Sequence, residues 1–161
     1  STQFACLIDN VATASELSST AVKHGIQIRV FLDLNVGMNR TGIAPEKALP
    51  LFLHCKSLSG LDPVGLHAYD GHHNDADFAI RTKGSDEGFA RVEALQQDIL
   101  KQTGVLTVIV TGGNTTISIH AKRKNVECSP GTFIFWDYGY DKKFAEQHFV
   151  FAAVFVTRII S

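Results

Sequence analysis

Three short strings in this 161-residue chain carry residues able to do chemistry, and each follows or begins an apolar, strand-like run. They are Leu34-Asn35-Val36-Gly37-Met38-Asn39-Arg40-Thr41-Gly42, Gly65-Leu66-His67-Ala68-Tyr69-Asp70-Gly71-His72, and Cys128-Ser129-Pro130-Gly131-Thr132-Phe133-Ile134-Phe135-Trp136-Asp137. In the first, Gly37 and Gly42 bracket Arg40 with backbone that must turn tightly. In the second, His67 and Tyr69 share a face by strand alternation. Between the second and third lies Thr111-Gly112-Gly113-Asn114-Thr115-Thr116, whose backbone N–H groups and hydroxyls suit a phosphate cradled without lysine. Together these strings point to a cofactor site.

A metal is the other chemistry to weigh. Asp70, His72, His73, Asp75 and Asp77 offer ligand types, but they are adjacent rather than spaced to converge on one ion. A solvated loop that closes over a ligand is the better reading. Cys6, Cys55 and Cys128 are odd in number and widely separated, which fits reduced cytoplasmic thiols rather than a zinc site or a disulfide framework.

The elements that must position these groups alternate. Phe4 to Ile8 reads as a short strand, and Val11, Ala14, Ala21 and Val22 as one helical face ended by Gly25. Ile26 to Leu34 alternates as a strand. A helix opens at Pro45 with Leu49, Phe52 and Leu53 on one side, bent or delayed by Pro50 and stopped by Gly60. Leu61 to Ala68 is a strand, His72 to Gly84 a polar loop, and Ser85 the cap of a helix with Phe89, Val92, Leu95 and Ile99 as its buried stripe. Val105 to Val110, Phe133 to Trp136 and a long run from Phe149 to Ile160 read as further strands.

Strands alternating with helices describe βαβ units and a parallel sheet, with the chemistry-bearing strings at the C-terminal strand ends. The expected fold is α/β, a partial (β/α)8 TIM-type barrel, because five or six strands fall short of the eight a closed barrel needs. The start, Ser1-Thr2-Gln3, has no initiator Met and enters a strand almost at once, which fits truncation at both ends. Residues 1–148 are expected to form part of the barrel, and 149–161 its last strand or the start of a C-terminal β-domain. Fifteen basic against sixteen acidic residues leave no basic stripe for nucleic acid. The longest apolar run is too short to span a membrane, and no signal peptide is evident, so a cytoplasmic location is expected.

The three strings, in this order, resemble the fold-type III pyridoxal-phosphate enzymes, the alanine racemase-like barrels, and within them the D-threonine aldolase and D-serine dehydratase-like family. The resemblance runs from about Arg29 to Ile160. It implies that Arg40 lies near the phenolate oxygen of pyridoxal 5'-phosphate and that Tyr69 stacks on the ring or bonds its nitrogen; His67, on the same face by strand alternation, either stands behind Tyr69 or is a hydrogen-bonded core histidine. It implies that Gly112, Gly113, Asn114 and Thr115, with Gly131 and Thr132, hold the phosphate. Racemases carry arginine before the proline of the third string, facing the ring nitrogen; Ser129 stands here, which favours the aldolase and dehydratase branch.

The resemblance also implies a lysine on the first barrel strand and a divalent metal (Mn, Mg or Zn) held in a C-terminal β-domain. Lys23, Lys47, Lys56, Lys83, Lys101, Lys122, Lys124, Lys142 and Lys143 all fall on helices or loops, so the lysine and the metal ligands are expected outside this chain, leaving the fragment alone inactive. The expected activity of the parent protein is pyridoxal-phosphate-dependent cleavage of D-β-hydroxy amino acids, D-threonine to glycine and an aldehyde. D-serine dehydration is the alternative, and a non-enzymatic pyridoxal-phosphate carrier or a barrel without cofactor the readings of another class. A homodimer is implied.

Overall fold

The computed structural model describes residues 4–160. Strands β1 (Ala5–Ile8), β2 (Ile28–Asp33), β3 (Leu61–Ala68), β4 (Val108–Thr111) and β5 (Val126–Cys128) form one sheet in chain order. Every neighbouring pair is parallel. Parallel strands laid down in sequence never reverse direction across the sheet, as a doubly wound fold does. The architecture is therefore an arc of a (β/α) barrel. Between its strands run α1 (Val11–Lys23), α2 (Pro45–Ser57), α3 (Phe78–Thr103) and the short α4 (Ile117–His120), and α5 (Tyr138–Lys143) follows β5.

The core lies between the sheet and the first three helices. Val30, Leu32 and Leu66 of the strands meet Ala48, Phe52 and Cys55 of α2 and Val92, Leu95 and Ile99 of α3, all buried. Burying such side chains is the main favourable term in folding, roughly 1.5–3 kcal/mol each.

α1 is capped by Asn10, whose side chain accepts the Thr13 N–H at 2.8 Å, and it ends before Gly25 at φ +65°. Its buried face is Ala14, Ser18 and Ala21; Val11 and Val22 are exposed instead of joining it. The Ser18 hydroxyl faces inward because it accepts the Gly60 N–H at 3.1 Å. α2 starts at Pro45 and passes through Pro50 without a break. The bond Pro50 cannot make would end on Glu46 in the first turn, so the loss falls at the helix end.

α3 begins earlier than the sequence suggests. Asp77 caps it, accepting N–H groups of Ala79 at 2.8 Å and Ile80 at 3.2 Å, so half of the expected polar loop is helix and Ser85 is an interior residue. The stripe of Phe89, Val92, Leu95 and Ile99 is buried as expected. Gly104 at φ +70° ends the helix.

Two expected strands are not strands here. Phe133 to Trp136 form a 3-10 turn (Thr132–Ile134) and its exit, with Trp136 at φ +40°. Residues 149–160 make no ladder; a bond from Ala152 N–H to the Phe135 carbonyl at 3.1 Å and the packing of Phe149 tie them to the body. Apart from Phe149, which is half-buried against the Phe133 and Trp136 rings, their side chains stay exposed, Phe155 at 99%. A β-branched run is stabilised as a strand only by a neighbour and a buried face. Among the described residues the run beyond Phe149 has neither.

The preceding segment is held by a buried cation. The Arg81 side chain is wholly buried, pairs with Glu146, donates to the Asp75 carbonyl and lies against the Phe78 and Phe144 rings. The Ser118 hydroxyl also donates to Glu146, at 3.0 Å.

Candidate functional site

The loop after β2 is built to present Arg40. The Leu34–Ile43 bridge closes it, the Asn35 side chain accepts N–H groups of Gly37 at 3.0 Å and Asn39 at 3.1 Å, and the Gly42 N–H donates to Asp9. Gly42 sits at φ +94°, and a Cβ there would lie 2.7 Å from the Asn35 nitrogen, so only glycine allows the turn. Arg40 emerges over the Tyr69 ring, 4.9 Å from its centroid. The two side chains line one cleft with Asp33, Met38, Thr41 and His67.

Within that cleft His67 Nδ1 lies 2.8 Å from Asp33 Oδ1. Burial pushes the Asp33 carboxyl upward, but hydrogen bonds from His67 and Thr41 and the nearby Arg40 charge outweigh it, leaving it below the usual carboxylate range. An ionised Asp33 makes Nδ1 the donor and leaves Nε2 as the open acceptor.

The turn after β4 packs on the other side of Tyr69. The Thr111 hydroxyl and Gly112 N–H both donate to the Ala68 carbonyl, and the Gly113 N–H donates to the Thr116 hydroxyl at 3.1 Å. The two glycines thus contribute room rather than free donors, which corrects the expectation of a run of open N–H groups. A Cβ on Gly113 would stand 2.7 Å from Tyr69 Cε2. Gly113→Ala is expected to destabilise the fold by about 1–3 kcal/mol and to swing Tyr69 out of place, checked by urea denaturation and the tyrosine near-UV signal.

The donors that remain belong to Asn114 and Thr115. The Asn114 side chain donates to the Thr132 hydroxyl, tying this turn to the third string, and the Ser129 hydroxyl reaches the Gly112 carbonyl at 3.3 Å. The Thr115 hydroxyl is buried with no partner among the described residues. Thr115 as a residue borders a second cleft with Gly71, Asn74, Tyr140 and Lys143, and Gly71 lies against the Tyr69 hydroxyl. Gly131 and Thr132 are exposed and line neither cleft, and nothing crowds Gly131. Tyr69 therefore stands at the junction of the two clefts.

Behind the site is a polar network that sequence reasoning missed. Asp70, only 3% exposed, accepts from the Thr116 hydroxyl at 2.6 Å and the Ser85 hydroxyl at 3.0 Å, and lies 2.8 Å from His120 Nε2. Burial raises the Asp70 carboxyl, but the hydrogen bonds from His120, Thr116 and Ser85 outweigh it, for a net shift below the usual range. His72 packs on Gly37 and His73 on Gly84, while Asp75 and Asp77 bond local backbone. No group of three or more potential ligands converges on a metal among the described residues.

Asp33 and Asp70 also tie the stability of the fold to pH. Their folded carboxyls hold protons less readily than unfolded Asp, which titrates near about 3.9. The stability they supply is complete above that pH and lost as pH falls through the lower folded values. Urea denaturation is expected to show stability dropping as pH falls below about 4, with Asp33→Asn flattening the drop.

Residues 1–139 match the family model for the alanine racemase N-terminal domain. The chain is 28% identical over 138 residues to a D-threonine aldolase of Arthrobacter sp, covering 83% of this chain and 36% of that protein. It is 27% identical over 139 residues to a 3-hydroxy-D-aspartate aldolase of Paracoccus denitrificans, covering 82% and 35%. The chain thus spans about a third of the length of the curated relatives it matches. In structure it is similar to a D-threonine aldolase from Filomicrobium marinum, at TM-score 0.81 and 22% identity over 91% of this chain and 40% of that one, a likeness of fold. No helix of the described residues is long and apolar enough to cross a membrane. With the barrel arc and the family match in agreement, the chain belongs to the alanine racemase N-terminal domain family.

Proposed function

We propose that the protein is a pyridoxal-phosphate-dependent lyase of D-β-hydroxy amino acids, cleaving the Cα–Cβ bond of a D-threonine-like substrate to glycine and an aldehyde. The observation that carries this reading is the arrangement around Tyr69, with a guanidinium over its ring, Gly113 against its edge and an unpartnered, buried hydroxyl on Thr115, a residue bordering the adjoining cleft. A phosphorylated pyridine ring fits that donor set. A buried hydroxyl without a partner is costly unless a ligand completes it, and a phosphate oxygen would do so.

When bound, the cofactor would supply an electron sink for the charge left at Cα. The chain's own groups do the rest. Arg40 would hold the phenolate oxygen ionised, Tyr69 would fix the plane of the ring, and Asn114, Thr115, Gly131 and Thr132 would border the phosphate. His67, its tautomer fixed by Asp33, keeps Nε2 able to take or return a proton. Both curated relatives are named as aldolases of D-configured amino acids, which supports the lyase reading over racemization.

No lysine lines the Arg40 cleft, and every lysine of the chain lies on a helix or in a loop. The lysine that carries the cofactor and the ligands of a divalent metal are proposed to lie outside these residues, in a homodimeric parent, so that this stretch alone is inactive. Incubating the intact protein with pyridoxal phosphate, manganese and D-threonine is expected to release glycine and acetaldehyde. Pyruvate and ammonia from D-serine would move the reading to a dehydratase; release from neither substrate would leave a carrier.

A further inference from the structure

We infer that Asp70 is a positioning residue for the phosphate end of the site, its carboxylate fixing the Gly113–Thr116 turn against the strand end that carries Tyr69. The inference rests on the pyridoxal-phosphate reading above. Its warrant is the way one buried carboxylate joins two elements. Asp70 follows Tyr69 in the chain and precedes Gly71, which abuts the Tyr69 hydroxyl. Through Oδ1 it accepts the Thr116 hydroxyl at 2.6 Å, and the same Thr116 oxygen accepts the Gly113 N–H at 3.1 Å. The turn that ends in Asn114 and Thr115 is thus referenced to the residue beside Tyr69 by two consecutive hydrogen bonds.

The other carboxylate oxygen is fixed as firmly. Arg123 Nε donates to His120 Nδ1 at 3.1 Å, so that nitrogen is an acceptor and the proton sits on Nε2. His120 is therefore the neutral Nε2–H tautomer, donating to Asp70 Oδ2 at 2.8 Å, and the Ser85 hydroxyl donates to the same oxygen at 3.0 Å. Every partner of Asp70 is a donor, and its carboxylate has no freedom to rotate. Apolar side chains of similar volume would hold such a joint as well or better if stability alone were at issue, because burying a charge carries a desolvation cost. A rigid carboxylate adds direction, which fixes where the turn points its remaining donors.

Two substitutions test this in the intact protein. Thr116→Val keeps the side-chain shape and removes both bonds of the relay, and Asp70→Asn keeps volume but sets an amide N–H against a donor. Affinities for pyridoxal phosphate and for pyridoxal, titrated separately, give the advantage conferred by the phosphate. That ratio is expected to fall about tenfold in both variants, the scale of one charge-assisted hydrogen bond, with pyridoxal affinity nearly unchanged. A loosened core would weaken both ligands equally. If the variants fold and keep the wild-type ratio, the positioning role is overturned while the cofactor reading stands; if the wild type binds neither compound, the cofactor reading itself fails. A second readout needs no variant: ¹⁵N shifts should show His120 protonated on Nε2 and bare on Nδ1 at neutral pH. The reverse tautomer or an imidazolium would overturn the inference.

Discussion

Arg40→Leu in the intact protein is expected to lower kcat/KM for D-threonine by roughly 10²–10³-fold, the usual effect of deleting one fixed donor from a site where charge must be held. The expectation follows from where Arg40 stands. It is exposed on a tightly tied loop, its close contact among the described residues is the Tyr69 ring, and Asp33 lies near enough to feel its charge. Nothing in the core depends on it, so the variant should unfold within about 0.5 kcal/mol of the wild type. Arg40→Lys should recover only part of the rate, since an ammonium restores charge without the planar fork or the ring stacking. Rate and stability falling together would mean that Arg40 holds the loop; an unchanged rate would remove it from the site.

Arg81→Ala carries the largest expected effect on stability, about 3–5 kcal/mol. The substitution leaves a cavity between the Phe78 and Phe144 rings, strips the Asp75 carbonyl of its donor and leaves Glu146 without its cation. The Glu146 side chain is 27% exposed and keeps the Ser118 hydroxyl, so the cavity and the lost packing dominate over the freed carboxylate. The double variant Arg81→Met, Glu146→Leu should regain a good part of the loss, because a buried pair replaced by well-packed apolar groups is often neutral. Thermal melts of the three proteins measure this. Residues 144–147 should become more susceptible to protease in Arg81→Ala, since this contact pins them to the start of α3.

Local pattern and long-range pairing divide what the sequence discloses. β3 runs from Leu61 to Ala68 as its alternation and flanking glycine indicate, and the α3 stripe is buried because a 3.6-residue period is a local property. The start of α3 is less visible. Asp77 and Ser85 are both good caps, and only the inward pull of Asp70 and His120 on the Ser85 hydroxyl decides between them. Arg40, His67 and Tyr69 share a cleft because each lies at or just beyond a strand end of one sheet, which the order of motifs implied. The Asp70 network was hidden for the opposite reason. Its members come from the loop after β3, from α3 and from the turn around α4, and no spacing rule links them. From the sequence Asp70 reads as part of a solvated loop, whereas it is buried and held by three donors. The strand expected at 133–136 fails because a run of aromatic residues is equally able to pack as a turn, as Trp136 does against Tyr140 and Phe149.

The arrangement of Arg40, Tyr69 and the turn at Asn114 and Thr115 around one ligand is tested most directly by a crystal structure of the intact protein grown with saturating pyridoxal phosphate. The account predicts the pyridine ring against Tyr69, its phenolate oxygen toward the Arg40 guanidinium and its phosphate within hydrogen-bond reach of the Thr115 hydroxyl. A cofactor bound elsewhere, or a cleft still empty at saturation, would contradict it.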